Sequence, residues 1–134
     1  MSTPTQDAIR RCHDATASGS MDFPQIVAVL AAAGVEGYMV DFRRATQTYY
    51  LPDGGSVELP ARPVAPPAAA FDEAAIAAAV REAQEKVAGY SYAGFCAKVS
   101  AAGCAGYMVS FSGRRAVYFG RTAQTHVEHF PQAA

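Results

Sequence analysis

The chain has 134 residues, of which 51% are hydrophobic and 17% charged, with a formal net charge of −1. That composition excludes a disordered chain, and with no global basic field nucleic acid is not an expected partner. Three cysteines without paired spacing exclude a disulfide framework.

Taken in order, the N-terminal residues carry no apolar signal core. The longest aliphatic run, 26–33, is eight residues, too short to cross a bilayer. The expected setting is therefore cytoplasmic, with no membrane partner. Ala8, Ile9, Cys12 and Ala15 recur at helical spacing, which predicts a helix over 4–18 stopped by Gly19. Asp22 is placed to cap a second helix with Pro24 in its first turn. Its apolar face is Phe23, Ile26, Val27 and Leu30, and Gly34 ends it. Alternation over 37–43 predicts a strand, with Tyr38, Val40 and Phe42 on one side and Met39, Asp41 and Arg43 on the other. Strands over 46–51 and 56–59 follow, separated by the Pro52-Asp53-Gly54-Gly55 turn. Residues 60–70 contain four prolines and read as an extended linker. Asp72 caps a helix over 73–87 with Ile76, Val80 and Val87 on its face, and Gly89 breaks it. A helix over 91–102 and strands over 106–112, 115–120 and 124–130 complete the chain.

The second half repeats the first. Residues 32–42 (AAGVEGYMVDF) and 101–111 (AAGCAGYMVSF) share eight of eleven positions, 69 residues apart. The expected organisation is an internal duplication, with repeats at about 4–59 and 72–131 joined by the linker 60–70. Each repeat reads helix, helix, three strands. One copy alone buries too little surface to stand by itself, so the two form a single domain over 1–134. The fold class is α+β, with tandem α-α-β-β-β repeats on an antiparallel-rich sheet and pseudo-two-fold symmetry.

The Ala-Gly-Cys-Ala-Gly-Tyr segment at 102–107, the Tyr118-Phe119-Gly120-Arg121 element and the run His126-Val127-Glu128-His129-Phe130-Pro131 resemble a bacterial and prophage family. That family is labelled phage envelope protein (YbcV-like) and is of unknown function. The resemblance covers most of the chain. It implies a compact intracellular protein, and the label implies a virion role; it carries no catalytic residue and no cofactor. The two-copy plan is also similar in architecture to tandem effector-binding domains, which take small, often cationic molecules in a pseudo-two-fold cleft.

Three constellations have chemistry-bearing residue types. Cys96 and Cys104 align with Val27 and Val35, which reads as small core hydrophobes, the alternative being a nucleophile beside a histidine. His126 and Glu128 share one face of a strand while His129 points away, so two ligands stand where a catalytic zinc takes about three. A solvated polar edge strand is the better reading, and no metal is expected. Arg43, Arg44, Arg114, Arg115 and Arg121 crowd the hairpins, either clamping an anion or keeping hairpin tips soluble. Gly-x-Ser-x-Gly, His-Glu-x-x-His and Cys-x-x-Cys motifs are absent.

The expected function is a non-enzymatic module binding a small molecule or a protein partner on the sheet or in the cleft between the copies, with a homodimer among its assemblies. The alternatives are a small enzyme using His126 and Glu128 with Tyr118 or Arg121 nearby, or a phage structural component. Met39, Tyr49, Met108 and Tyr118 are expected together on the strand face opposite Tyr38 and Tyr107. That face is then a partner or ligand surface if helices cover one side of the sheet only, and ordinary core if they cover both. Arg121, His126 and Glu128 complete the candidate binding residues.

Overall fold

A computed structural model describes residues 3–130. Pro131, which closes the second expected repeat, lies outside the described residues. Helix α1 (Pro4–Ser18) starts at a reciprocal cap in which Thr3 and Gln6 bond each other's backbone amides, and it stops at left-handed Gly19. Helix α2 (Phe23–Ala32) starts the same way on Asp22 and Gln25. Strands β1 (Gly37–Asp41), β2 (Thr46–Tyr50) and β3 (Ser56–Pro60) follow. The second half runs α3 (Glu73–Glu85), α4 (Tyr92–Ala101), β4 (Cys104–Ser110), β5 (Arg115–Gly120) and β6 (Thr125–His129). The caps recur 69 residues apart, Asp72 for Thr3 and Ser91 for Asp22. So do the hairpin turns: Ala45 and its mate Arg114 both take left-handed backbone, with φ of 54° and 51°.

The six strands form one antiparallel sheet in the order β3-β2-β1-β4-β5-β6. Its centre is the β1–β4 pair, where Met39 stands opposite Met108, its own repeat mate. The flanking bonds obey the same relation. Phe42 donates its amide to Ala105 at 2.9 Å, and Phe111 donates to Glu36 at 3.1 Å. A pseudo-two-fold axis therefore runs through the Met39–Met108 pair, normal to the sheet.

Tyr38, Val40, Phe42 and Tyr49 of the first half meet Tyr107, Val109, Ala116 and Tyr118 of the second on one face. All four helices cover that face with Ile9, Leu30, Ile76, Phe95 and Val99, making one core. Each such side chain contributes roughly 1.5–3 kcal/mol when fully buried.

Three expectations need correction. Phe23 is exposed; it does not enter the core but leans edge-on against Phe130, ring centroids 5.6 Å apart. Val87 is exposed because α3 ends at Glu85, where Lys86 turns left-handed before the predicted last turn. The linker is a fixed strap. Pro67 is buried, Val64 packs on the core, the buried Ser100 hydroxyl donates to the Ala65 carbonyl at 3.0 Å, and Ala68 donates its amide to Ser100 at 3.1 Å.

Candidate functional site

The four residues expected on one surface divide between the two faces. Met39 and Met108 do point away from the helices; Met108 is 44% exposed. Tyr49 and Tyr118 are 1% and 6% exposed and lie under the helices. The cause is register. The turn at 42–45 pairs Asp41 with Thr46, which sets Tyr49 opposite Tyr38, and directly opposed residues share a face. In the second half Tyr118 stands opposite Tyr107 for the same reason, rings 5.1 Å apart. Burial pushes all four hydroxyls well above the ordinary tyrosine range.

The uncovered face carries Met39 and Met108 at its centre, with Val117, Phe119 and Val127 extending towards the β6 edge. Towards β3 it becomes polar, with Thr46, Thr48 and Glu58. The apolar part therefore belongs mainly to the second half.

His126 and Glu128 do share a face, and they gain a third member that the sequence reading treated only as a helix-start residue. Glu73, at the first position of α3, reaches His126 Nδ1 at 2.7 Å; Glu128 meets Nε2 at 2.7 Å. With both ring nitrogens facing carboxylates, the ring is an imidazolium donating twice. Burial opposes that charge, but the two carboxylates outweigh it and raise the His126 pKa above its ordinary value. Thr125, Val127 and His129 of the edge strand are exposed as expected, but His126 is only 13% exposed and links α3 to β6 in an ion cluster. A histidine with both nitrogens engaged has no lone pair to act as a base. The three groups also do not converge on one point. Among the described residues no group of three or more His, Cys, Asp or Glu is arranged to hold a metal ion.

The arginines form no single clamp. Arg43 and Arg44 lie at the end of the sheet where β1 leaves, and Arg114 and Arg115 at the opposite end, because β4 runs antiparallel to β1. Arg121 donates to the Pro67 carbonyl at 3.3 Å and anchors the strap. Cys12, Cys96 and Cys104 are buried free thiols, and burial pushes Cys96 and Cys104 up to about 11. Thiols so protonated are poor nucleophiles.

Sequence reasoning allows a ligand in the cleft between the copies but names none of the residues that line it. A recess of about 60 Å³ is walled by His13, Thr16 and Ala17 of α1 and by Tyr92, Ala93 and Cys96 of α4, with Val40, Phe42 and Gln47 as its floor. Ala61 and Arg62, from the start of the strap, close one side. Most of its polar groups are already engaged. His13 Nε2 donates to the Pro60 carbonyl at 2.7 Å, so its neutral Nδ1 accepts the Tyr49 hydroxyl at 3.2 Å. Thr16 donates to Cys12, and the Tyr92 hydroxyl lies 2.7 Å from that of Tyr107.

Two groups remain. Gln47 is 7% exposed and its amide forms no side-chain hydrogen bond among the described residues; since no fully buried side-chain nitrogen or oxygen there lacks a partner, its amide atoms meet solvent through the recess. Arg62 pairs with no carboxylate among them. A second recess of about 100 Å³ between α3 and α4 has its charges, Lys98 and Glu82, paired with each other.

The two halves serve as each other's control. Gln47 stands where the other half has the buried Ala116, Tyr92 where it has Phe23, and Cys96 where it has Val27. Packing in this fold accepts apolar residues at those places, so polarity in the recess is not a demand of the fold. The sequence signal was legible as Gln47 amid a β-rich run, but nothing there showed that it faces inward. Among the described residues no helix is long and apolar enough to cross a membrane. No protein-family model matches the chain, and no curated protein matches it significantly.

Proposed function

We propose that this protein is a non-enzymatic binding module that takes the polar end of a small ligand in the recess between its halves. The observation that carries the proposal is Gln47, a mostly buried residue whose amide has no partner from the chain and reaches solvent only through that recess. That amide meets water in the open recess, and a ligand that replaces the water with a direct hydrogen bond gains about 0.5–1.5 kcal/mol there. At about 60 Å³ the recess is far smaller than a drug-sized pocket of roughly 300–1,000 Å³, so it holds a terminal group while the rest of the ligand lies outside. The reading as an enzyme is weaker, since His126 and His13 have both nitrogens engaged and the thiols are held protonated. The matching caps, turns and strand registers of the halves support an origin by internal duplication. The test is a thermal-shift screen over chemically diverse small molecules, repeated with Gln47→Ala, whose side chain the fold already accepts at position 116. Hits that stabilise the native chain and are lost in the variant support the reading; hits indifferent to the variant, or no hits, refute it.

A second reading is self-association through the uncovered sheet face, carried by exposed Met108 and Val127. Six strands at about 4.8 Å and five residues at about 3.3 Å give a face of about 450 Å². That is below the roughly 800 Å² per partner of a standard interface, so the homodimer is a weak one. Native mass spectrometry tests it: a dimer abolished by Met108→Lys supports the reading, a monomer at high concentration rejects it. Regular larger assemblies would instead favour the virion role that the family label implies.

A further inference from the structure

We infer that the group held in the recess is a carboxylate, the head of a small organic acid whose apolar body rests at the recess mouth. The inference rests on the binding reading above and adds the ligand's chemical class.

Charge is the first argument. No aspartate or glutamate lines the recess, while the guanidinium of Arg62 stands at its edge without a carboxylate partner among the described residues. Its field reaches inward, where it favours the thiolate of Cys96 against the opposing effect of burial. The guanidinium favours an anionic ligand over a cationic one here. Asp14, whose charge acts on Tyr49, does not line the recess.

The helix is the second argument. Tyr92 and Ala93, the first two residues of the ten-residue α4, form part of the wall. The first backbone amides of a helix have no intrahelical acceptor, and its dipole is positive at that end. Ser91 caps only the Gly94 amide. Helix end and guanidinium thus give the recess one sign of potential from two sides.

Donor supply is the third argument, and it distinguishes a carboxylate from other anions. With His13, Thr16 and Tyr92 engaged internally, the side-chain donors left among the described residues are the amide of Gln47 and the planar fork of Arg62. A carboxylate accepts from both, one oxygen each, and needs no further donor. A phosphate group has more oxygens to satisfy, and inorganic phosphate brings no apolar body. Much of the lining is apolar: Val40 and Phe42 are buried at the floor, while exposed Ala17 and half-buried Ala61 and Ala93 offer an aliphatic chain or ring its contacts at the mouth.

The experiment is isothermal titration of the full chain with propionate, hexanoate and benzoate, with their primary amides, and with inorganic phosphate, at pH 7 and low salt. Expected is binding of at least one acid about tenfold tighter than its amide, and lost about tenfold in Arg62→Gln. Arg62 is exposed, so this variant keeps the fold, and circular dichroism checks that it does. Gln47→Ala should weaken acid and amide alike. Amides binding as tightly as acids, with dependence on Gln47 but not on Arg62, would overturn the carboxylate assignment and leave the recess reading standing. Phosphate binding as tightly as the acids would overturn it too. If no probe binds in a Gln47-dependent way, the carboxylate assignment falls; the broader recess reading falls only if the diverse screen also fails.

Discussion

Replacing His126 tests whether the Glu73–His126–Glu128 cluster holds the second half together. In His126→Ala, Glu128 keeps its charge at a site where its side chain is only 26% exposed, and it loses its bond to Nε2. A charge-assisted hydrogen bond of this kind contributes about 1.5–3 kcal/mol. The Glu73 arm contributes less, because that carboxylate is 61% exposed and water replaces the bond at little cost. The expected loss is therefore about 2–3 kcal/mol, or about 6–12 °C in Tm for a chain of this length. The other half supplies the rescue. Val57 and Leu59 occupy the places equivalent to His126 and Glu128, so His126→Val with Glu128→Leu should return to within about 1 kcal/mol of the native chain, as apolar replacements of buried ion pairs often do.

The pH dependence carries a sign. The folded-state pKa of His126 lies above its ordinary 6.5, so its contribution is fully present below that value and is lost as pH rises through the folded pKa. Urea denaturation of the native chain between pH 5 and 9 should show stability falling on the alkaline side, and the double variant should lack that part of the slope. A His126→Ala variant within about 0.5 kcal/mol of the native chain, or a slope that survives in the double variant, would refute the reasoning.

Three further outcomes are expected. Gly103 and Gly34 are repeat mates with φ of 97° and 90°, but a Cβ on Gly103 would strike the Ala70 carbonyl of the strap while one on Gly34 meets nothing. Gly34→Ala should cost about 1 kcal/mol and Gly103→Ala clearly more, measured by chemical denaturation; equal costs would mean that the strap yields. Tyr49→Phe removes the hydroxyl that His13 accepts and should cost about 1–2 kcal/mol, whereas the hydroxyl of Tyr118 forms no side-chain bond among the described residues, and Tyr118→Phe should change stability by less than about 0.5 kcal/mol. Cys96 and Cys104, buried and held at about 11, should react with a thiol reagent at pH 8 only as fast as the chain unfolds; rapid native labelling of either would contradict their place in the core.

What was legible in the sequence is what depends on near neighbours. Caps act over three residues, so Asp22 and Asp72 announced their helices, and alternation within a strand placed Tyr38 with Val40 and Phe42. The 69-residue repeat extended each of those statements to the other half. Chain pairing decided the rest. Which face Tyr49 and Tyr118 occupy depends on turn length, and a shift of one residue would have sent both to the Met39 side. Glu73 meets His126 across 53 positions only because α3 begins over the β6 edge. The recess has the same origin: α1 belongs to one half and α4 to the other, and only their packing over a shared sheet leaves Gln47 at the floor of a recess that Arg62 borders. Local spacing wrote the elements of this protein into its sequence, while its candidate site exists only where the two halves meet.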